Sequence, residues 1–124
     1  MTEPRLRSEL WVKAHIWKCS GAGIYAALSK TGDKTSGVIL IKIMQSRDAC
    51  SVLMPSLRMD GTRVWLRATG TDPVAEPVAD EYIRRQVSFD SDLWVLEIED
   101  AQGRHLLEEP IEQSDRIGKT GLPN

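Results

Sequence analysis

The sequence predicts an α+β fold in which a mainly antiparallel sheet carries two helices. Three observations lead to this class. The chain has 124 residues, of which 41% are hydrophobic, and this is enough for one domain with a single core. Several short runs have the pattern of β-strands and are joined by short polar turns, as in antiparallel meanders. Two longer segments repeat apolar residues at helical spacing, so the predicted element order is α-β-β-β-β-α-β-β.

The first segment, residues 6–19, fits two different periods. Apolar residues at alternate positions are typical of a strand, and here they are Leu6, Leu10, Val12, Ala14 and Ile16. A helical stripe runs through the same segment and consists of Leu6, Leu10, Ala14 and Trp17, with Trp11 beside it. The segment is long for a strand, Ser8 is a suitable N-cap, and Gly21 is a suitable stop. We therefore predict a helix over residues 9–20.

Four strands are predicted next, over residues 24–30, 37–44, 49–54 and 62–69. Short polar turns such as Asp60-Gly61 separate them, and Pro55 is expected to end the third. The second strand has apolar residues at consecutive rather than alternate positions. This pattern is typical of a central strand, and it indicates that both faces of the sheet are covered.

A second helix is predicted over residues 77–88, because Pro77 suits the first helical position and apolar residues recur at helical spacing after it. Phe89 is expected to close the apolar stripe of this helix. Strands are predicted over residues 93–99 and 105–108, with a turn at Gly103 between them. The last residues contain Pro, Gly and charge with few large apolar side chains. We therefore predict one domain over residues 1–108 and a flexible tail over residues 109–124.

Composition and charge argue against several classes of protein. The formal net charge of −2 gives no strong nucleic-acid signal and no attraction to an anionic membrane. No apolar run approaches the roughly twenty residues that a membrane span needs, and the first residues contain no apolar core of a secretory signal. Cys19 and Cys50 lack Cys-x-x-Cys spacing and are expected to be free thiols in a reducing compartment. The sequence therefore predicts a cytoplasmic protein.

Three segments of the chain resemble a bacterial family. They are Arg5-Leu-x-Ser-Glu-Leu-Trp-Val-x-Ala14, Ser36-Gly-Val-Ile-Leu-Ile-Lys42, and Tyr82-Ile-x-Arg-Gln-x-x-Phe-Asp-x-Asp-Leu-Trp-Val-x-Glu-Ile-Glu-Asp100 followed by Gly103-Arg104. With these motifs the chain resembles the domain of unknown function 1491, DUF1491, from residue 5 to residue 107. The resemblance implies a small, uncharacterised, single-domain soluble protein of alphaproteobacterial type, and it supplies no catalytic residue. Residues 62–72 show no family pattern.

The sequence shows no pattern of a known cofactor or metal site. The two histidines, His15 and His105, lack the companion ligands of a zinc site. Ser20-Gly-Ala-Gly23 follows a helix instead of leading into one, so we interpret it as a helix end and not as a phosphate loop. No Gly-x-Ser-x-Gly motif of a serine hydrolase occurs. We therefore predict no cofactor and no metal.

Acidic residues crowd the segment of the fifth strand, where Glu97 and Glu99 share one face and Asp92 precedes them. Such carboxylates can bind a divalent cation or act as acid and base, as in a small metal-assisted hydrolase. The alternative is that they cap a turn and line a polar face. Lys42 lies in its strand as the lysine of a nuclease signature does. Leu40 occupies the position of the required acid, however, so a nuclease is not predicted.

The strand over residues 62–69 carries Trp65 between Arg63 and Arg67, on the face opposite its apolar residues. A tryptophan flanked by arginines has the composition of a protein-binding hot spot, or of a platform on which bases stack. Because the catalytic patterns fail, we favour a non-enzymatic interaction module that binds a protein partner through Arg63, Trp65 and Arg67. The hydrolase that uses Asp92, Glu97 and Glu99 is the alternative. The sequence leaves the partner and the oligomeric state open.

Overall fold

The structure, a computed structural model, describes residues 7–113 of the chain. These residues form two helices and six strands in the predicted order. The elements are α1 (Ser8–Gly21), β1 (Tyr25–Lys30), β2 (Ile39–Ser46), β3 (Ala49–Leu57), β4 (Arg63–Arg67), α2 (Glu76–Phe89), β5 (Trp94–Glu99) and β6 (Ile111–Gln113). The α+β class is therefore confirmed.

The six strands form one sheet with the order β1-β5-β2-β3-β4-β6. Neighbours pair in antiparallel fashion except for β2 with β5 and β4 with β6, which are parallel. The sheet is thus mixed and not mainly antiparallel as predicted. The reason is the path of α2. After β2, β3 and β4 have formed a meander, α2 carries the chain back over the sheet, so β5 enters beside β2 in the same direction.

Each face of the sheet is covered by one helix. Paired residues on neighbouring strands share a face. Ile41, Leu53 and Leu96 therefore lie together, and they are in the same core cluster as Val12 and Cys19 of α1. On the opposite face, Cys50 and Val52 pack against Ala79 of α2. The consecutive apolar residues of β2 indicated this arrangement, because a strand between two helices has no polar face.

Helix α1 buries a different stripe from the one that predicted it. Its buried residues are Ser8, Val12, His15 and Cys19. Leu10 and Trp17 are exposed, and 81% of the Trp17 surface is accessible. Both stripes repeat at helical spacing, so the period predicts the helix but cannot identify the side that faces the sheet. Ser8 also does not cap its own helix, because its hydroxyl donates to the carbonyl oxygen of Gly37 at 2.6 Å.

Strand β3 continues through Pro55 to Leu57, although Pro55 was expected to end it. The last residue of β3 that pairs with β2 is Leu53, whereas Pro55 pairs with Trp65 of β4. Proline is tolerated here because it lies beyond the β2–β3 pairing and needs no N–H donor on that side. The β3–β4 hairpin therefore extends past the end of β2.

The last part of the described chain differs from the prediction. Residues 105–108 form no strand, and Leu106 adopts a positive φ of 58°. The strand lies further on, at β6, where Trp65 pairs with Ile111 and Arg67 with Gln113. The fold therefore extends past the predicted domain boundary at residue 108. The remainder of the predicted tail, residues 114–124, lies outside the described residues.

The turn between α2 and β5 is present, but Phe89 does not close the apolar stripe of α2. It is the last residue of the helix, and 82% of its surface is exposed. Asp90 forms the expected turn contact, since its Oδ1 accepts the backbone N–H of Asp92 at 3.0 Å. Trp94 is buried, as predicted, and its indole N–H donates to the carbonyl oxygen of Asp33 at 2.7 Å.

Candidate functional site

The most unusual buried group is the ammonium of Lys42. This residue lies at the centre of β2 on the face covered by α2, and only 2% of it is accessible to solvent. A buried lysine needs partners for its charge, because transfer of an unpaired ion into the interior costs several kcal/mol or more. The partners of Lys42 therefore define a site.

Three carboxylates surround Lys42. Its Nζ donates to Glu76 Oε2 and to Asp80 Oδ1, each at 2.7 Å, and lies 3.8 Å from Glu97 Oε2. Glu76 and Asp80 are one turn apart on α2, so both reach the same point of the sheet. Glu97 is opposite Lys42 in the parallel pairing of β2 with β5. We call these four residues the Lys42 cluster.

The pKa of Lys42 follows from two opposing effects. Burial lowers it, since the charged form is poorly solvated. The hydrogen bonds to Asp80 and Glu76, together with the charge of Glu97, outweigh burial and raise the pKa of Lys42 above its ordinary value. Lys42 is therefore a permanent cation at neutral pH. A lysine in this state cannot act as a nucleophile or a general base, so its role is to hold α2 on the sheet.

Glu76 and Asp80 were missed at the level of sequence. The available signal was a charged residue in an otherwise apolar strand, together with two acids four residues apart at the start of a helix. The nuclease signature with which Lys42 was compared lies within one strand. The acidic neighbours of Lys42 come from α2 and β5, so the pattern of β2 alone does not indicate them.

The proposed hydrolase residues are not brought together as a catalytic group. Glu97 faces Lys42, whereas Asp92 lies in the exposed turn before β5 and Glu99 lies at the far end of that strand. Over residues 7–113, no group of three or more His, Cys, Asp or Glu side chains has a geometry that could hold a metal ion.

Trp65 is buried and not exposed as the sequence suggested. Only 6% of it is accessible, and its ring lies 5.9 Å from that of Trp11 in α1. Its indole N–H donates to Glu109 Oε1 at 3.1 Å, and its backbone N–H donates to the carbonyl oxygen of Pro110 at 2.8 Å. Residues 105–110, which we call the strap, pass beside α1 and cover this face of β4. The residues of the strap are forty or more positions from Trp65 in the sequence. The pattern of β4 alone therefore indicates a solvent-exposed Arg-Trp-Arg face.

The two arginines beside Trp65 have different surroundings. Arg63 is exposed and pairs with Leu57 at the end of the β3–β4 hairpin. Leu57 and Met59 are exposed large apolar residues at the same end. Arg67 is half-buried and close enough to His105 to influence its pKa. The structure thus places only Arg63 of the predicted trio fully on the surface.

The two histidines face each other across α1 and the strap. Nε2 of His15 donates to the carbonyl oxygen of His105 at 2.7 Å, and the His15 ring stacks on Trp11 with ring centres 4.8 Å apart. Nδ1 of His105 accepts the backbone N–H of Leu107 at 3.0 Å. Burial lowers the pKa of both histidines. Burial therefore favours the neutral form of each imidazole.

Both cysteines are buried free thiols. Burial raises the pKa of Cys19 and of Cys50, so both remain protonated at neutral pH. A protonated, buried thiol is a poor nucleophile. Neither residue has the surroundings of a catalytic cysteine.

These observations define a small α+β protein with a mixed sheet between two helices, an internal ion-pair cluster, and a strap across one edge of the sheet. A family described as a protein of unknown function, DUF1491, matches residues 6–108. The chain belongs to the DUF1491 family, and the resemblance of its sequence motifs is thereby confirmed. Among curated proteins, no sequence matches the chain.

Solved structures of similar proteins share the fold. A DUF1491 family protein from Caulobacter crescentus CB15, determined by crystallography, is 34% identical, with a TM-score of 0.79 over 86% of this chain and 99% of its own. An NMR structure of a DUF1491 family protein from the same organism is 34% identical, with a TM-score of 0.76 over 88% and 98% of the two chains. A protein from A. tumefaciens, solved in solution, is 30% identical, with a TM-score of 0.62 over 77% and 86%.

Neither helix within residues 7–113 is long and apolar enough to cross a membrane.

Proposed function

We propose that the protein is a non-enzymatic interaction module whose partner surface lies on the β3–β4 hairpin and continues along β4. The observation that carries the proposal is the exposure of Leu57 and Met59 beside Arg63 at the hairpin end. Arg67 lies further along the same strand face, with Trp65 between the two arginines as a buried support. The proposed surface therefore keeps the two arginines that the sequence suggested, but its exposed apolar residues are Leu57 and Met59 instead of Trp65.

The hairpin end is held in one conformation. The backbone N–H of Arg58 donates to the carbonyl oxygen of Thr62 at 2.8 Å, and Asp60 Oδ1 accepts the N–H of Thr62 at 2.9 Å. Gly61 adopts a φ of 88°, which only glycine reaches without strain. Arg58 forms an ion pair with Glu112 of β6. A turn fixed in this way loses little conformational entropy on binding, which favours recognition of a partner.

The chemistry of the hairpin indicates a protein partner. Exposed apolar side chains next to an arginine are the typical centre and rim of a protein–protein contact. The matching surface would offer an apolar pocket for Met59 and Leu57 with acidic residues facing Arg63. A cytoplasmic partner is proposed, since the free thiols of Cys19 and Cys50 suit a reducing compartment.

The experiment is site-specific photo-crosslinking in cells, with the crosslinking residue at Met59 or, as a matched control, at Phe89. Phe89 is also an exposed apolar residue but lies at the end of α2. We expect a discrete crosslinked protein from Met59 only, and we expect Arg63→Glu to remove it. A product that is equal at both positions, or one that survives Arg63→Glu in a folded variant, would contradict the proposed surface.

A further inference from the structure

The strap is attached to the rest of the molecule by Leu106 and Leu107, which pack against the core cluster, and by polar contacts around the two histidines. His15 donates to the His105 carbonyl oxygen, and Lys18 donates to the carbonyl oxygen of Leu106 at 3.2 Å and to Glu108 Oε2 at 3.0 Å. A cavity of about 160 Å³ remains between α1 and the strap. Polar contacts around a cavity hold a segment less firmly than close apolar packing does. The polar contacts at the two histidines are therefore the part of this attachment that is most easily broken.

The contact made by His105 depends on its protonation. Nδ1 accepts the Leu107 N–H, which requires a lone pair on that nitrogen. A proton on Nδ1 converts the acceptor into a donor and places two N–H groups against each other. The hydrogen bond that shapes the strap is then lost. His15 does not lose its bond on protonation, because Nε2 donates in both forms.

Charges from each neighbouring element act on the two histidines. His15 faces Lys18 on its own helix and His105, Glu108 and Glu109 on the strap. His105 faces His15 on α1 and Arg67 on β4. The glutamates favour protonation of His15, whereas the charges that act on the pKa of His105, those of His15 and Arg67, oppose its protonation. A doubly protonated pair is therefore electrostatically unfavourable while the strap is closed.

We propose that the strap is a pH-sensitive cover of the β4 face, closed at neutral pH and released from α1 and Trp65 when His15 and His105 become protonated. An effect of this opening on partner binding rests on the proposed function. Release of the strap would uncover Trp65 between Arg63 and Arg67, on the proposed partner surface. The opening itself is a property of this chain and can be measured without a partner.

The direction of the pH effect follows from linkage. Burial lowers the pKa of both histidines in the closed form below the ordinary value of 6.5, so the open form binds protons more tightly. The closed strap is thus fully stable above pH 6.5 and loses stability as the pH falls through the lowered pKa values. Between pH 6.5 and the lowered pKa values, the opening equilibrium should rise by up to about tenfold per pH unit for each histidine, and it should level off below them.

The test is an NMR titration of the full chain from neutral to mildly acidic pH, with the Trp65 indole N–H and the Leu107 amide as reporters. The matched variant is His105→Asn, whose side-chain oxygen can accept the Leu107 N–H but cannot be protonated. We expect a transition of both reporters in the wild type, with a midpoint below 6.5, and a shallower transition, due to His15 alone, in His105→Asn. The amide signals of α1 and β2 should not show this pH transition.

Three outcomes would overturn the proposal: reporters that do not change, a transition in His105→Asn that is as steep as in the wild type, or a common midpoint for strap, α1 and β2 amides that reveals global unfolding. None of these outcomes bears on Met59 crosslinking at neutral pH. Conversely, loss of that crosslink leaves the titration unaffected. The two proposals can therefore fail separately.

Discussion

At the scale of single residues, the burial of Trp65 and Phe89 is the reverse of what their positions in the sequence suggest. Trp65 is buried between β4, α1 and the strap, whereas Phe89 projects from the end of α2. We expect Trp65→Ala to cost about 3–5 kcal/mol of unfolding free energy, as large core truncations do. Phe89→Ala should change stability by no more than about 0.5 kcal/mol. Urea denaturation of both variants measures the difference, and equal costs would contradict the burial of Trp65.

The sequence could not have assigned these two residues. Both faces of β4 are covered, one by the strap, so alternation along the strand does not distinguish an inner from an outer side. Phe89 continues the helical period of α2, but it is the last residue of the helix and 82% of its surface is exposed. Burial of both residues depends on contacts with distant parts of the chain, and local periodicity carries no information about them.

At the scale of elements, the Lys42 cluster fixes α2 to the sheet. The double variant Glu76→Gln with Asp80→Asn leaves the buried ammonium with Glu97 alone at 3.8 Å. We expect a cost of about 3–5 kcal/mol, because the buried charge loses two of its three compensating carboxylates and the amide oxygens that replace them carry no charge. Lys42→Met should cost less, since Glu76 and Asp80 keep contact with water and can be hydrated. Thermal or urea denaturation ranks the variants, and the reverse ranking would exclude this account of α2 attachment.

The same cluster predicts a dependence of stability on alkaline pH. The pKa of Lys42 is raised in the folded protein, so its stabilising effect is complete below the ordinary value of 10.5 and is lost as the pH rises through the folded value. The difference in unfolding free energy between the wild type and Lys42→Met should therefore be constant near neutral pH and change only at strongly alkaline pH. A change between pH 5 and pH 8 would point to another group.

Most helices and strands could be predicted from the sequence, whereas the strands that lie next to each other in the sheet could not. Helices α1 and α2 and strands β1 to β5 follow from periodicity and turn residues, which act over a few positions. The parallel pairing of β2 with β5 and the late strand β6 depend on where the chain returns to the sheet. Three residues at β6 are too few for a recognisable period, and their pairing with β4 is what makes them a strand.

At the scale of the whole molecule, the fold includes residues beyond the predicted boundary at 108. Glu109 and Pro110 accept hydrogen bonds from Trp65, and Ile111 pairs with it in the sheet. We expect a chain ending at Glu108 to be less stable by roughly 2–4 kcal/mol than one ending at Gln113, from lost hydrogen bonds and exposure of Trp65. Tryptophan fluorescence during urea denaturation compares the two truncations directly. Equal midpoints would place the boundary at residue 108 after all.

The parallel contact between β2 and β5 also sets the order in which the protein can fold. Residues paired there, such as Ile39 with Trp94, are separated by 55 positions, so the centre of the sheet joins parts of the chain that are far apart. During synthesis, β2 must wait for β3, β4, α2 and β5 to be made before its second neighbour exists. The apolar run of β2 remains half-paired in this interval. Slow, late closure and a need for protection from aggregation are therefore expected of the nascent chain.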